Sequence, residues 1–188
     1  MSQTGRTVLI AVDVQRDFLP GGALGVPGGD QVIAPLVELA AGADMVVATR
    51  DFHPSDHVSF STRGGPWPPH CVIGTPGAAL APEVDAVASF IVSKGTDAQH
   101  EAYSGFDGTG LADMLRAQRV TRVIVGGLAT DYCVKATAIA ASEAGFDTEV
   151  VTDAVRAVDV TAGDGARALE AMAAAGVRLG SLAGAQQS

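Results

Sequence analysis

At 188 residues the chain fits one domain on the usual scale of about 100 to 200 residues, and a chain of this size buries about 70% of its unfolded surface. Apolar residues make up 47% and charged ones 18%, too hydrophobic a balance for disorder, and no unbroken apolar run of about 20 residues is present to span a membrane. Lys and Arg number 12 against 21 Asp and Glu, a net charge of −9 whose field repels phosphate backbones and argues against nucleic acid as a partner.

Residues 1–7 carry no basic stretch followed by a long apolar segment, so no secretory signal is expected and the expected compartment is the cytoplasm. The first β-rich run predicts a strand at 7–14. Residues 19–29, rich in Gly and Pro, read as an irregular loop. Asp30 is a candidate cap for a helix over 31–41, with Pro35 near its first turn and Gly42 as its stop. A second strand is expected at 44–49, a second irregular loop at 63–82 with Trp67 among prolines, and a third strand at 88–93. Then follow a helix over 110–118, a strand at 122–126, a helix over 131–144 ended by Gly145, and a strand at 148–152. A helix over 165–175 ended by Gly176, a strand at 177–179 and a frayed tail at 184–188 complete the chain. Alternation of this kind describes an α/β fold: one three-layer α/β/α domain over 1–188, with about six mainly parallel strands and helices on both faces.

In open α/β sheets, ligands meet the carboxyl ends of the strands. The first strand ends in Ile10-Ala11-Val12-Asp13-Val14-Gln15, which puts a carboxylate inside an apolar run. Burial there raises its pKa and suits it to proton transfer, although an aspartate capping the next turn fits the same position. The third strand delivers Lys94 and then Gly95 as it leaves the core; most lysines so placed simply reach solvent. The fourth runs into Gly126-Gly127-Leu128-Ala129-Thr130-Asp131-Tyr132-Cys133, which sets Cys133 in the first turn of a helix. The positive end of the helix dipole lowers a thiol pKa, so position makes Cys133 a candidate nucleophile; a buried structural thiol fits equally. Together Cys133, Lys94 and Asp13 supply a nucleophile, a cation and a base on separate strand ends. Two cysteines, Cys71 and Cys133, build no disulfide framework.

The segment Arg50-Asp51-Phe52-His53-Pro54-Ser55-Asp56-His57 follows the second strand, and His70 lies beyond it in Trp67-Pro68-Pro69-His70-Cys71. Asp51 and His53 are two apart on an extended chain, so both side chains point the same way and grip one divalent ion, with His70 closing the set. Three N/O ligands with open positions describe a catalytic metal site; a polar loop with incidental histidines is the alternative. His57 is either a further ligand or a hydrogen-bonding anchor of the loop.

These residues resemble the nicotinamidases of the isochorismatase-like hydrolases. The resemblance is carried by Asp13-Val14-Gln15-Arg16-Asp17-Phe18 with Gly21-Gly22, by Asp51-Phe52-His53-Pro54 with His57-Val58-Ser59-Phe60, and by Trp67-Pro68-Pro69-His70-Cys71. It continues through Lys94-Gly95, Tyr103-Ser104-Gly105-Phe106 and Gly127-Leu128-Ala129-Thr130-Asp131-Tyr132-Cys133-Val134, in the same order, and covers nearly the whole chain. It implies the isochorismatase-like, Rossmann-like topology and an amidase that converts nicotinamide to nicotinic acid and ammonia in NAD salvage, with Asp13, Lys94 and Cys133 as its triad. It also implies one divalent metal on Asp51, His53 and His70, with His57 a ligand in some members only. Zinc suits that mixed set best, and iron or manganese are compatible with it.

The resemblance further implies a cis peptide between Leu128 and Ala129, with the N–H groups of Ala129 and Cys133 as oxyanion donors. A ring slot is expected from Phe18, Trp67, Tyr103, Leu24 and Ala129, because flat aromatic ligands stack on aromatic walls. Phe52 stands where a tryptophan is common and Tyr132 where other side chains occur, so the finer pocket shape is expected to differ and a related aromatic amide such as pyrazinamide to be accepted as well. The rival readings are a metal-free relative cleaving a vinyl ether or a carbamoyl or ureido amide, and a non-catalytic metal-binding or thiol redox-sensing scaffold. Self-association is compatible with a small α/β hydrolase, and no segment marks an interface.

Overall fold

The structure, a computed structural model, describes residues 5–185. Its strands are β1 Arg6–Val12, β2 Met45–Asp51, β3 Phe90–Lys94, β4 Val120–Leu128, β5 Asp147–Arg156 and β6 Arg178–Gly180. Its helices are α1 Ile33–Ala40, α2 Pro82–Val87, α3 Leu111–Ala117, α4 Lys135–Glu143, α5 Asp164–Ala174 and α6 Leu182–Ala185. The strands form one sheet in the order β3-β2-β1-β4-β5-β6, and every neighbouring pair is parallel.

The inner strands are almost continuously apolar because helices cover both sheet faces. Successive β1 side chains alternate between two cores. Leu9 and Ala11 pack with Leu36 of α1, Val84 of α2 and Ala185 of α6, while Val8, Ile10 and Val12 pack with Leu115 of α3, Ala138 of α4 and Met172 of α5. Chain order places β2 to one side of β1 and β5 to the other side of β4, so the loops leaving β1 and β4 part and open a crevice at their carboxyl ends. The candidate chemistry gathers there. Among the described residues no helix is long and apolar enough to cross a membrane.

All six expected strands form, and the differences lie at their ends and at small helices. β4 and β5 run longer than the sequence suggests, because Gly126 and Gly127 do not end the strand. Past an irregularity in register there, pairing resumes between Gly127 and Val155. α4 and α5 stop at Gly145 and Gly176, whose φ values of +90° and +86° suit the left-handed residue that closes a helix. Asp30 does not cap α1. It lies inside the 3-10 turn Gly29–Val32, and α1 starts at Ile33. Pro35 has no N–H to bond back to Gln31, so the preceding turn closes through Ile33 N–H to Asp30 O instead. α2 went unpredicted although Pro82 at its first turn, followed by Glu83 and Asp85, is a helix-start signature. Of the expected frayed tail, Gly184 and Ala185 belong to α6, and 186–188 lie outside the described residues.

Candidate active site

Four strand ends converge. Asp13, immediately after β1, is fully buried at φ +49°. Its N–H donates to Thr49 O (3.1 Å), and its Oδ1 accepts the Thr49 hydroxyl (2.6 Å). Lys94, the last residue of β3, pairs in register with Asp51, the last residue of β2, and is 1% exposed. Its Nζ donates to Asp51 Oδ1, to Ala102 O (3.1 Å) and to Cys133 Sγ (3.5 Å). Asp13 Oδ2 lies 2.9 Å from the same nitrogen yet accepts no well-aligned hydrogen bond. Cys133 stands in a π-helical turn, Thr130–Val134, that widens the entry to α4. One side-chain ligand atom from each of Asp13, Asp51 and Cys133 falls within 4.8 Å of the others.

The electrostatics correct one expectation. Burial pushes the Cys133 thiol well above its ordinary pKa, and the Asp13 and Asp51 carboxylates add to that, against the opposing pull of Lys94. Desolvation and the two carboxylates thus oppose the thiolate that the helix start alone would favour. Burial also raises Asp13. Burial works against the Lys94 ammonium, but Asp13 and Asp51 together hold its pKa well above the usual lysine value. Lys94 is thus an ammonium held between two acidic side chains, with the thiol alongside.

Asp51 faces two ways. While Oδ1 accepts from Lys94, Oδ2 lies 3.6 Å from His53 Nε2 and 4.0 Å from His70 Nε2. Carbonyl oxygens only accept, so His53 Nδ1 donates to Gly95 O (2.8 Å) and His70 Nδ1 to Pro68 O (2.7 Å). Both Nε2 atoms then turn toward Asp51 Oδ2. Two imidazoles fixed by carbonyls beside one carboxylate oxygen fit a divalent metal. Gly95 permits this at φ +61°, since a Cβ there would stand 2.4 Å from His53 Cε1. Burial disfavours a charged His53, but Asp51 lifts its proton affinity above the ordinary value, so the site attracts positive charge.

The hydrogen bonds of His57 are those of a loop anchor, although it also stands with His53 and Glu101 in a second group of possible metal donors. Its ring stacks on His53 with centroids 4.0 Å apart, Nε2 donates to His100 O (3.0 Å) and Nδ1 accepts from the Ser59 hydroxyl (2.7 Å). Both of its nitrogens are engaged in hydrogen bonds, and it is not in the group formed by Asp51, His53 and His70. Gln15 is a further anchor that sequence reasoning missed. Buried after β1, it accepts Asp51 N–H (2.7 Å) and donates to Asp51 O (2.8 Å) and Ala78 O (2.9 Å).

Cys133 and Asp51 lie in a cleft whose open space, mouth included, is about 440 Å³. Phe18, Leu24, Trp67, Tyr103 and Ala129 all line it, and the Leu128–Ala129 peptide is cis. Trp67 Nε1 donates to Tyr103 OH (3.2 Å), which squares one wall. Tyr132, already tied to the pocket's shape by its departure from the family pattern, lines the cleft, and so do Glu101 and Val158, beyond what the sequence suggests. Tyr132 meets Trp67 edge-on, with centroids 5.0 Å apart. Val158 comes from the segment after β5, where Asp131 accepts the N–H groups of Val158 and Asp159 (3.0 and 2.9 Å). No local pattern around Glu101 or Val158 announces either one.

Residues 7–183 match the model of the isochorismatase domain family. The chain belongs to the isochorismatase family. Within that family it is 45% identical to the nicotinamidase/pyrazinamidase of Mycobacterium tuberculosis over 91% of this chain and 96% of the relative. The crystal structure of the pyrazinamidase of Pyrococcus horikoshii in complex with zinc matches it at 48% identity and a TM-score of 0.87, covering 94% of this chain and 99% of that one. The structure of PnC1 from L. infantum in complex with nicotinate matches at 37% identity and a TM-score of 0.90, covering 96% and 95%. This isochorismatase-family chain therefore shares fold and most of its length with amidases and with a nicotinate-binding relative.

Proposed function

We propose that this chain is a nicotinamidase that hydrolyses nicotinamide to nicotinic acid and ammonia, returning the pyridine ring to NAD synthesis, and that it also accepts pyrazinamide. The observation that carries the reading is the convergence of Cys133 Sγ, the Lys94 ammonium and the Asp13 carboxylate beside the donor set of Asp51, His53 and His70, at one end of an aromatic-walled cleft. The likeness to amidases of the same family supports it.

In this reading Asp13 Oδ2 takes the thiol proton as Cys133 Sγ bonds to the carboxamide carbon. Lys94 offsets the negative charge as it passes from Asp13 through sulfur to the carbonyl oxygen, and the N–H groups of Ala129 and Cys133 receive the oxyanion. Protonated Asp13 returns its proton to the leaving nitrogen, the C–N bond breaks, and ammonia departs from a Cys133 thioester. Water then attacks that thioester as Asp13 takes its proton, and the carboxylic acid leaves as the thiol is restored. Phe18, Trp67 and Tyr103 hold the ring flat while these steps proceed. Asp51, His53 and His70 would hold a divalent ion, zinc by the match of two imidazoles and one carboxylate, which would supply Lewis acidity and a fixed positive charge in the cleft. A thiol nucleophile that must stay reduced fits a cytoplasmic enzyme.

The test is ammonia release from nicotinamide, pyrazinamide and a carbamoylated amine, run beside isochorismate cleavage and elemental analysis of the same preparation. Nicotinamide and pyrazinamide should turn over, thorough chelation should lower the rate at least about tenfold, and zinc should restore it. Turnover confined to isochorismate or the carbamoylated amine would refute the substrate reading. A rate unchanged by complete metal removal would refute the role of Asp51, His53 and His70.

A further inference from the structure

We infer that Thr49 is a positioning residue for Asp13, fixing which carboxylate oxygen receives the thiol proton. The inference rests on Asp13 being the base in the proposed reaction. Thr49 is fully buried near the end of β2 and holds Asp13 at two points, through the main-chain N–H at 3.1 Å and through Oδ1 at 2.6 Å. Asp13 needs such a hold, because its φ of +49° is one that L-residues seldom adopt.

The hydroxyl has one hydrogen, and its direction is constrained from behind. The Thr49 methyl faces Gly105, where a Cβ would stand only 2.8 Å from Thr49 Cγ2. Gly105 is itself tied down by its N–H donating to Thr137 Oγ1 (3.0 Å) on α4. Segment 103–106, carried between β3 and α3, thus closes over the methyl and leaves the hydroxyl facing Asp13.

A buried carboxylate with two uncommitted oxygens can turn about its Cβ–Cγ bond and offer either one. An O–H donor at 2.6 Å removes that freedom by occupying Oδ1. The other oxygen, Oδ2, lies 2.9 Å from Lys94 Nζ and has no aligned hydrogen bond, and Asp51 and Cys133 are the further titratable groups beside the carboxylate, each with a ligand atom within 4.8 Å of one of its oxygens. The proton leaving Cys133 Sγ therefore has one destination and one geometry. Misplaced proton acceptors forfeit rate even when the substrate still binds.

Thr49→Val removes the hydroxyl and nearly conserves shape. It should lower kcat for nicotinamide about 10- to 100-fold, leave KM within about twofold, and slow alkylation of Cys133 by iodoacetamide, an activity-independent readout. Thr49→Ser, which keeps the hydroxyl, should restore kcat to within about threefold of wild type. If the added methyl of Val beside the carboxylate prevents folding, Thr49→Ala carries the same test, since it deletes the hydroxyl without placing a methyl there. A folded hydroxyl-free variant with kcat within about twofold of wild type, a loss confined to KM, or a Ser variant as impaired as Val would each overturn the inference. Asp13→Asn separates the two levels: if it still turns over, the base assignment itself falls, whereas an inactive Asp13→Asn beside an unimpaired Thr49→Val removes only the role of Thr49.

Discussion

Cys133→Ala should lose at least about 10⁴-fold in nicotinamide hydrolysis while keeping its fold and its metal content. The sulfur is the one side-chain atom of the π-helical turn within hydrogen-bonding reach of Lys94, at 3.5 Å, so no neighbour stands in for it. Cys71 is no substitute. It is fully buried and does not line the cleft, whereas Cys133 does and accepts from Lys94. The metal donors come from the end of β2 and from the loop reaching His70, so truncating a residue at the start of α4 leaves them in place. Ammonia assays, circular dichroism and elemental analysis of one preparation check all three parts. Turnover within tenfold of wild type would remove the sulfur from the mechanism.

Lys94→Met should abolish activity and also destabilise the protein, a second effect that Cys133→Ala lacks. The ammonium is the shared counter-ion of two buried carboxylates, Asp13 and Asp51. Deleting one partner of a buried ion pair costs about 3–5 kcal/mol because the remaining charge stays desolvated. For a chain of this size each kcal/mol lowers Tm by about 2–4 °C, so a drop of roughly 6–20 °C is expected near neutral pH. Both carboxylates should then take up protons more readily, since the cation that opposed their desolvation is gone. Lys94→Arg should not rescue it, because a planar guanidinium does not fit a space shaped for a compact ammonium with donors to Asp51, Ala102 and Cys133. Calorimetry of the three variants decides the matter. A Met variant as stable as wild type would show that the buried cation is not what balances the two acids.

What the chain reveals before folding follows from how local each signal is. Asp13, Lys94 and the approach to Cys133 each end an apolar run, so a parallel sheet brings them to one edge once the run is read as a strand. Asp51 and His53 lie two apart, and period-two geometry puts them on one side. Contacts that depend on register between distant strands were invisible. Thr49 meets Asp13 because Val12 pairs with Thr49 across β1 and β2, and Gln15 reaches Asp51 for the same reason. Val158 enters the cleft from beyond β5, held by Asp131, and nothing near either residue signals that long-range hydrogen bond. The pull of burial on the thiol is hidden for a different cause. Position on a helix can be read locally, but the desolvation that overrides it is a property of the packed site.

Catalysis by this site requires the Cys133 sulfur to become acylated. Nicotinamide mixed with enzyme, quenched in acid within the first turnover and analysed by peptide mass spectrometry, should place a nicotinoyl group on Cys133 that disappears as nicotinic acid accumulates. Nicotinic acid formed while Cys133 stays unmodified at every quench time, or an acyl group borne by any other residue, would contradict it.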